Sequence, residues 1–220
     1  MLDLPLPFLE RPASDAIDQK WLLVMLHGMC GNERDVFELA PQVPDCFHVL
    51  SVRGPFPAGE DAWRWFDFEI HPDDSRTIDE AQESESRARL GELVWAASSQ
   101  LGIDAESVVI GGFSQGGVMA LSLLLTRPEL ARAAMVMHSR LLPQIMPLIA
   151  RPEDLRQRQL WLSYGTDDAV IPLKFAHEIR TAMTKLPVRS TYTEFPGGHE
   201  LSPAEIFEAT QWLSELVAMG

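Results

Sequence analysis

Val108-Val109-Ile110-Gly111-Gly112-Phe113-Ser114-Gln115-Gly116-Gly117 lies near the middle of the 220-residue chain, and its reading decides the fold. An apolar run leads into a G-x-S-x-G motif, and a helical pattern begins near Gly117. On a strained strand-to-helix turn, small residues on either side of a serine let strand and helix approach closely and leave the hydroxyl exposed. Gly111, Gly112, Gly116 and Gly117 meet that need. The turn also aims the backbone N–H of Gln115 and a helix N-terminus at the place where an oxyanion would form. The competing reading is a glycine-rich turn carrying an ordinary surface serine.

Outward from this turn, short apolar runs predict buried strands at residues 22–26, 47–52, 108–110, 133–136 and 160–163, with a more polar one at 189–194. Helical patterns fill 35–40, 79–100, 117–125, 173–185 and 204–218. Strands alternating with helices predict an α/β fold, a mostly parallel twisted sheet with helices on both faces. The pattern continues nearly to the last residue, so we expect one domain over residues 1–220 and no separate cap domain. Ser202, Pro203 and Glu205 announce the last helix as the N-cap, N1 and N3 residues of a capping box. Residues 53–77 form a longer irregular stretch that holds Pro55, Pro57, Gly59 and Pro72 beside Trp63, Trp65, Phe66 and Phe68. Loops of that length inside compact domains are usually functional.

Ser114 is a weak nucleophile unless a base takes its proton, and the base needs an acid to hold its tautomer. With a serine on such a turn the chain order is Ser, acid, His. Only His177 and His199 follow the strand at 160–163. His177 falls inside a predicted helix, whereas His199 sits in the loop Pro196-Gly197-Gly198-His199-Glu200, which can swing an imidazole over the sheet edge. The acid belongs in Gly165-Thr166-Asp167-Asp168-Ala169-Val170-Ile171-Pro172, and spacing does not choose between Asp167 and Asp168. Leu26-His27-Gly28-Met29-Cys30-Gly31-Asn32 follows an early strand and offers the amide of Met29 as a second oxyanion donor.

Composition narrows the function. Eighteen basic residues against 32 acidic ones give a net charge of −14, with 46% hydrophobic residues. Mean hydropathy is −0.04, the balance of a soluble globule rather than a disordered or membrane chain. The negative charge repels phosphate backbones and anionic bilayers, so we expect no nucleic-acid partner and no stable membrane association. Small-molecule substrates stay open. Cys30 and Cys46 are too few for a disulfide scaffold and read as free thiols. The first ten residues lack a basic head and an unbroken apolar stretch, so a cytoplasmic location is expected.

Taken in order, Leu26-His27-Gly28-Met29, Gly31-Asn32, Arg53-Gly54-Pro55, Trp65-Phe66-Asp67, Gly112-Phe113-Ser114-Gln115-Gly116-Gly117, the loop 165–172 and Gly198-His199 resemble the phospholipase/carboxylesterase family of α/β-hydrolases, the group that includes acyl-protein thioesterases. The resemblance runs from about Trp21 to the C-terminus. It implies Ser114 as nucleophile, His199 as base and the amides of Met29 and Gln115 as oxyanion hole. It also selects Asp168 over Asp167, since the family's acid lies four places before the closing proline. No metal and no organic cofactor are implied. The expected activity is a serine carboxylesterase acting on small to medium acyl esters or thioesters through an acyl-enzyme. Lysophospholipase or acyl-protein thioesterase activity is the near alternative, and a non-catalytic ligand-binding protein the remote one. Dimers are common in the family, so a homodimer is one assembly the resemblance implies.

Two departures stand out: Tyr164-Gly165 where the family usually has His-Gly, and Ser139-Arg140 where it usually has a small residue after the serine. The first is expected to change local packing. The second brings a guanidinium toward the acyl pocket, which would favour a substrate bearing a carboxylate or polar group; solvent exposure or a surface ion pair is the alternative. Trp65 and Phe66 are candidate acyl-binding walls, although the aromatics of that loop would equally serve to cover the core. The apolar stretch beginning at Leu141 is a second candidate wall. Asp73, Asp74, Asp79, Glu80, Glu83 and Glu85 read as a solvated helix start favoured by the helix dipole, not as a metal site.

Overall fold

The computed structural model describes residues 2–71 and 76–219. In chain order, β1 (Phe8–Arg11), β2 (Trp21–Leu26), α1 (Glu33–Phe37) and β3 (Phe47–Val52) come first. Two short hairpins follow, β4 (Phe56–Gly59) with β5 (Ala62–Arg64) and β6 (Phe68–Ile70) with β7 (Arg76–Ile78). Then come α2 (Glu80–Leu101), β8 (Val108–Phe113), α3 (Gln115–Thr126), β9 (Ala133–Met137), β10 (Gln159–Gly165), α4 (Lys174–Met183), β11 (Arg189–Phe195) and α5 (Pro203–Ala218). Seven strands form one sheet in the order β1-β3-β2-β8-β9-β10-β11, parallel throughout except for β1.

The sheet is apolar on both faces because helices cover both. All six residues of β2 are buried. Leu22, Val24 and Leu26 pack with Leu90 and Leu93 of α2 and the leucines of α3, while Trp21, Leu23 and Met25 pack with Val36 of α1 and Trp212 and Leu216 of α5. The period-2 alternation of strand side chains thus feeds two separate apolar layers. Such burial contributes roughly 1.5–3 kcal/mol for each large apolar side chain.

Several sequence expectations need correction. The stretch 53–77 is not simply irregular: it carries the β4-β5 and β6-β7 hairpins, the first with a register shift between Pro57 and Gly59. Their strands are three or four residues long, β4 carries a proline and a glycine, and β5, β6 and β7 mix apolar with charged residues, so they lack the apolar run that marks a buried strand. Pro72, Asp73 and Asp74 lie outside the described residues. The helix expected at 35–40 is instead α1, opened by a capping box between Asn32 and Asp35, followed by a 3-10 turn at Ala40–Gln42. In the acidic run Asp79 does cap α2, accepting from the Gln82 amide at 3.0 Å, but Glu83 is buried and paired with Arg87 at 3.0 Å rather than solvated. At α5 only half of the expected box forms. Ser202 accepts from the Glu205 amide at 3.1 Å, while the Glu205 carboxylate turns inward, 1% exposed.

Candidate active site

Parallel α/β sheets bind ligands beyond the carboxyl ends of their strands. Ser114 stands there, between β8 and α3, with φ 53° and ψ −116°. This left-handed backbone is strained for a residue with a Cβ, and the surroundings hold it. The Ser114 amide donates to Met137 O at 2.9 Å, and its carbonyl accepts from the Ser139 hydroxyl at 2.9 Å. Glycine is required on both sides: a Cβ on Gly112 would lie 2.2 Å from the Gly116 backbone, and one on Gly116 2.2 Å from Leu26 O.

Ser114 Oγ lies 2.9 Å from His199 Nε2, and His199 Nδ1 lies 2.7 Å from Asp168 Oδ2. The loop after β11 delivers His199, and Gly165 makes room for it, since a Cβ there would meet Gly198 O at 2.3 Å. Asp168 is buried, and its other oxygen accepts the amides of Val170 at 2.9 Å and Ile171 at 2.7 Å. Burial alone would raise its pKa, but the bonds from His199, Ile171 and His138 outweigh it and hold the carboxyl below its ordinary value. The Asp167 side chain is exposed and bonds only Thr166 among the described residues, while its amide donates to Gly197 O at 2.9 Å. His177 is exposed on α4, as its helical setting implied.

Met29 and Gln115 line the same cavity as Ser114, and among the described residues neither backbone amide donates to a protein acceptor. The Gln115 side chain is fully engaged, accepting from the Trp65 amide at 2.8 Å and donating to Phe66 O at 2.7 Å. It therefore fixes the aromatic segment against the nucleophile turn. His27 is buried, with Nδ1 donating to Gly28 O at 2.7 Å and Nε2 accepting from the Gly54 amide at 2.9 Å. Desolvation keeps its pKa low, so it is a neutral brace for the turn that carries Met29.

The cavity beside Ser114 measures about 210 Å³. Phe66, Phe68 and Arg140 line it, together with Phe113 and Val118. Trp65 and Leu141, the other two expected substrate contacts, do not. Trp65 is fully buried in the core, its indole donating to His27 O at 3.0 Å and its carbonyl accepting from Ser86. Leu141 lines a separate groove with Met146, Ile149 and residues of α4. Tyr164, at the family's usual histidine position, is buried and donates to Ser139 O.

Sequence reasoning missed His138 and Glu205. His138 follows β9 with φ 49° and no exposure. Its Nδ1 lies 2.9 Å from Asp168 Oδ2 and its Nε2 lies 3.2 Å from Glu205 Oε2, while the second Glu205 oxygen accepts from Ser163. Burial opposes a charge on His138, but Glu205 and then Asp168 overcome it and raise the pKa above the ordinary imidazole value. The one available signal was a histidine ending an otherwise apolar strand run. Donor atoms of His138, Asp168 and His199 lie within 4.8 Å of one another, close enough to suggest a metal site. Both imidazoles instead point Nδ1 at one carboxylate oxygen, an arrangement that hydrogen bonds satisfy without an ion.

The sequence model of the phospholipase/carboxylesterase family matches residues 13–217. The chain belongs to that family. Among relatives, acyl-protein thioesterase 1 of Neurospora crassa is 29% identical over 143 residues, 64% of this chain and 58% of that protein. The esterase YpfH of Escherichia coli is 29% identical over 168 residues, 74% of this chain and 68% of the relative. The match thus spans little more than half of the first relative and about two thirds of the second. The fold is shared with a Bacillus cereus carboxylesterase structure at a TM-score of 0.81 and 22% identity, covering 96% of this chain and 95% of the other. Membership in the phospholipase/carboxylesterase family carries the α/β-hydrolase fold.

Proposed function

We propose that this protein is a serine carboxylesterase that hydrolyses small to medium acyl esters or thioesters through an acyl-enzyme. The observation that carries this reading is the unbroken chain Ser114 Oγ, His199 and Asp168, at 2.9 and 2.7 Å, opening on a largely apolar cavity. Ser114 attacks the carbonyl carbon while His199 Nε2 takes the hydroxyl proton. Asp168 stabilises the resulting imidazolium, and the amides of Met29 and Gln115 donate to the tetrahedral oxyanion. His199 then gives the proton to the leaving alkoxide or thiolate. In the second half, water attacks the acyl-enzyme with the same base, releasing the acid and restoring Ser114.

A cavity of about 210 Å³ favours short acyl groups, because small-molecule sites generally run upward from roughly 300 Å³. We further propose a single α/β-hydrolase domain, supported by two apolar layers that share the strands of one sheet. A cytoplasmic setting fits the two unpaired thiols, Cys30 exposed and Cys46 buried. No described helix is long and apolar enough to cross a membrane.

The test is hydrolysis of 4-nitrophenyl acetate, butyrate, octanoate and palmitate by the protein and by Ser114→Ala, with fluorophosphonate labelling in parallel. A short-chain optimum, loss of nearly all turnover in the variant and labelling confined to Ser114 are the expected results. Equal activity of variant and wild type, or an unlabelled Ser114, would return the chain to the ligand-binding alternative.

A further inference from the structure

A chain of net charge −14 would be expected to present carboxylates wherever it is open to solvent. Its catalytic cavity does the opposite. Two arginines, Arg76 and Arg140, line the space beside Ser114, and no described carboxylate does. The remaining wall is largely aromatic and aliphatic and both arginines are half-buried, so their charge is less screened than in open solvent.

Each guanidinium is positioned by neutral groups. Arg76, on β7, donates from Nη2 to Val170 O at 2.9 Å and holds its Cζ 5.3 Å from the centroid of the Phe68 ring. Arg140 follows Ser139, whose hydroxyl bonds the Ser114 carbonyl, and its Cζ lies 5.9 Å from the Phe175 ring centroid. Among the described residues neither arginine forms an ion pair, whereas Arg53, Arg64, Arg87 and Arg158 each hold a carboxylate. The two also feel each other. Desolvation first, and the charge of Arg76 second, make the Arg140 cation harder to keep than in water, with Glu178 opposing only in part. A cavity that brings two like charges together beside apolar walls is built for an anion that relieves both.

We propose that Arg76 and Arg140 form a subsite for a carboxylate on the substrate, so that the preferred substrates are esters carrying a carboxylate a few bonds from the scissile carbonyl, such as half-esters of short dicarboxylic acids. This rests on the esterase reading and narrows it from esters in general to anionic ones. Planar guanidinium forks match a carboxylate with paired hydrogen bonds. The apolar rings and Val118 would hold the methylene chain between the two ends.

The test compares matched esters that differ only in a terminal carboxylate. 4-Nitrophenyl hydrogen adipate against 4-nitrophenyl hexanoate puts the anion on the acyl side, and 4-acetoxybutanoate against butyl acetate puts it on the alcohol side. For at least one pair, kcat/KM should favour the anionic member by about tenfold or more, since a charge-assisted hydrogen bond carries about one decade. Arg76→Gln, Arg140→Gln and the double variant should reduce that ratio stepwise toward unity, chiefly through KM. A ratio at or below unity in both pairs, with neutral esters turned over in a Ser114-dependent way, would overturn the subsite and leave the esterase reading intact. Calorimetric titration with adipate gives a readout apart from turnover. Binding that the double Gln variant loses supports the subsite even if no ester is cleaved, and absence of binding alongside absence of preference removes it.

Discussion

His138 Nδ1 stands 2.9 Å from Asp168 Oδ2, the same oxygen that takes the 2.7 Å bond from His199. The other nitrogen of His138 faces Glu205, so the imidazolium, which donates from both nitrogens, is the form that satisfies both carboxylates. His138→Leu would strand two buried carboxylates without their shared cation. Its expected cost is about 3–5 kcal/mol of unfolding free energy, read from urea denaturation. A loss under about 1 kcal/mol would mean that one carboxylate carries the proton and no cation was present.

The same contact sets a pH signature. A raised His138 pKa contributes stability that is fully present below the ordinary imidazole value of about 6.5 and is lost as pH rises through the higher folded-state value. Asp168 behaves oppositely: its depressed pKa contributes above the ordinary carboxyl value of about 3.9 and is lost as pH falls through the folded-state value. The stability gap between wild type and His138→Gln should therefore be full near pH 6 and shrink toward alkaline pH. Urea unfolding at a series of pH values checks this, and a gap that stays constant on the alkaline side rules out the imidazolium.

Burial and the bond to His199 distinguish the two adjacent aspartates. Asp168→Asn keeps the side-chain volume but leaves His199 in the wrong tautomer, and kcat on a nitrophenyl ester should fall by about 10⁴. Asp167→Asn changes an exposed group and should leave kcat within about twofold. Equal losses in the two variants would displace Asp168 from the acid's role.

Which parts of this were legible follows from how far apart in the chain the cooperating groups lie. The parallel strands other than β11 announced themselves because each is buried on both faces, and 47–52 was read to the residue. That Ser114, Asp168 and His199 converge was legible because each follows a strand in a loop with distinctive glycines. β1 was not, since Phe8-Leu9-Glu10-Arg11 pairs at a sheet edge with a mixed, half-exposed pattern. The bond between His138 and Glu205 spans 67 residues, and neither flanking sequence hints at the other. Nor does composition foretell that Trp65 turns into the core while Phe66, its neighbour, reaches the cavity.

Gly112→Ala should be severe, because the new methyl would lie 2.2 Å from the Gly116 backbone. We expect a loss of about 3 kcal/mol or more, seen as a lower thermal midpoint or as insoluble protein. Gly102→Ala, at the left-handed end of α2 with open space around it, should cost only about 1–2 kcal/mol. Similar costs at both sites would refute close packing at the turn.

Gln115→Leu removes both bonds to the aromatic segment while keeping the backbone amide that faces the cavity. Two buried backbone groups lose their partners, at about 1–3 kcal/mol each. The released Phe66 wall should raise KM for short esters more than it lowers kcat. A kcat loss at unchanged KM would mean that the side chain acts on the oxyanion instead.

Glu205 ties the first turn of α5 to the interior hydrogen-bond chain, and Ser202, the cap of that helix, comes only three residues after His199. The terminal helix and the loop that carries His199 thus share one fastening. Fraying of α5 would be transmitted to His199 and Asp168 before the sheet itself opened, so the proposed esterase activity would be lost ahead of melting.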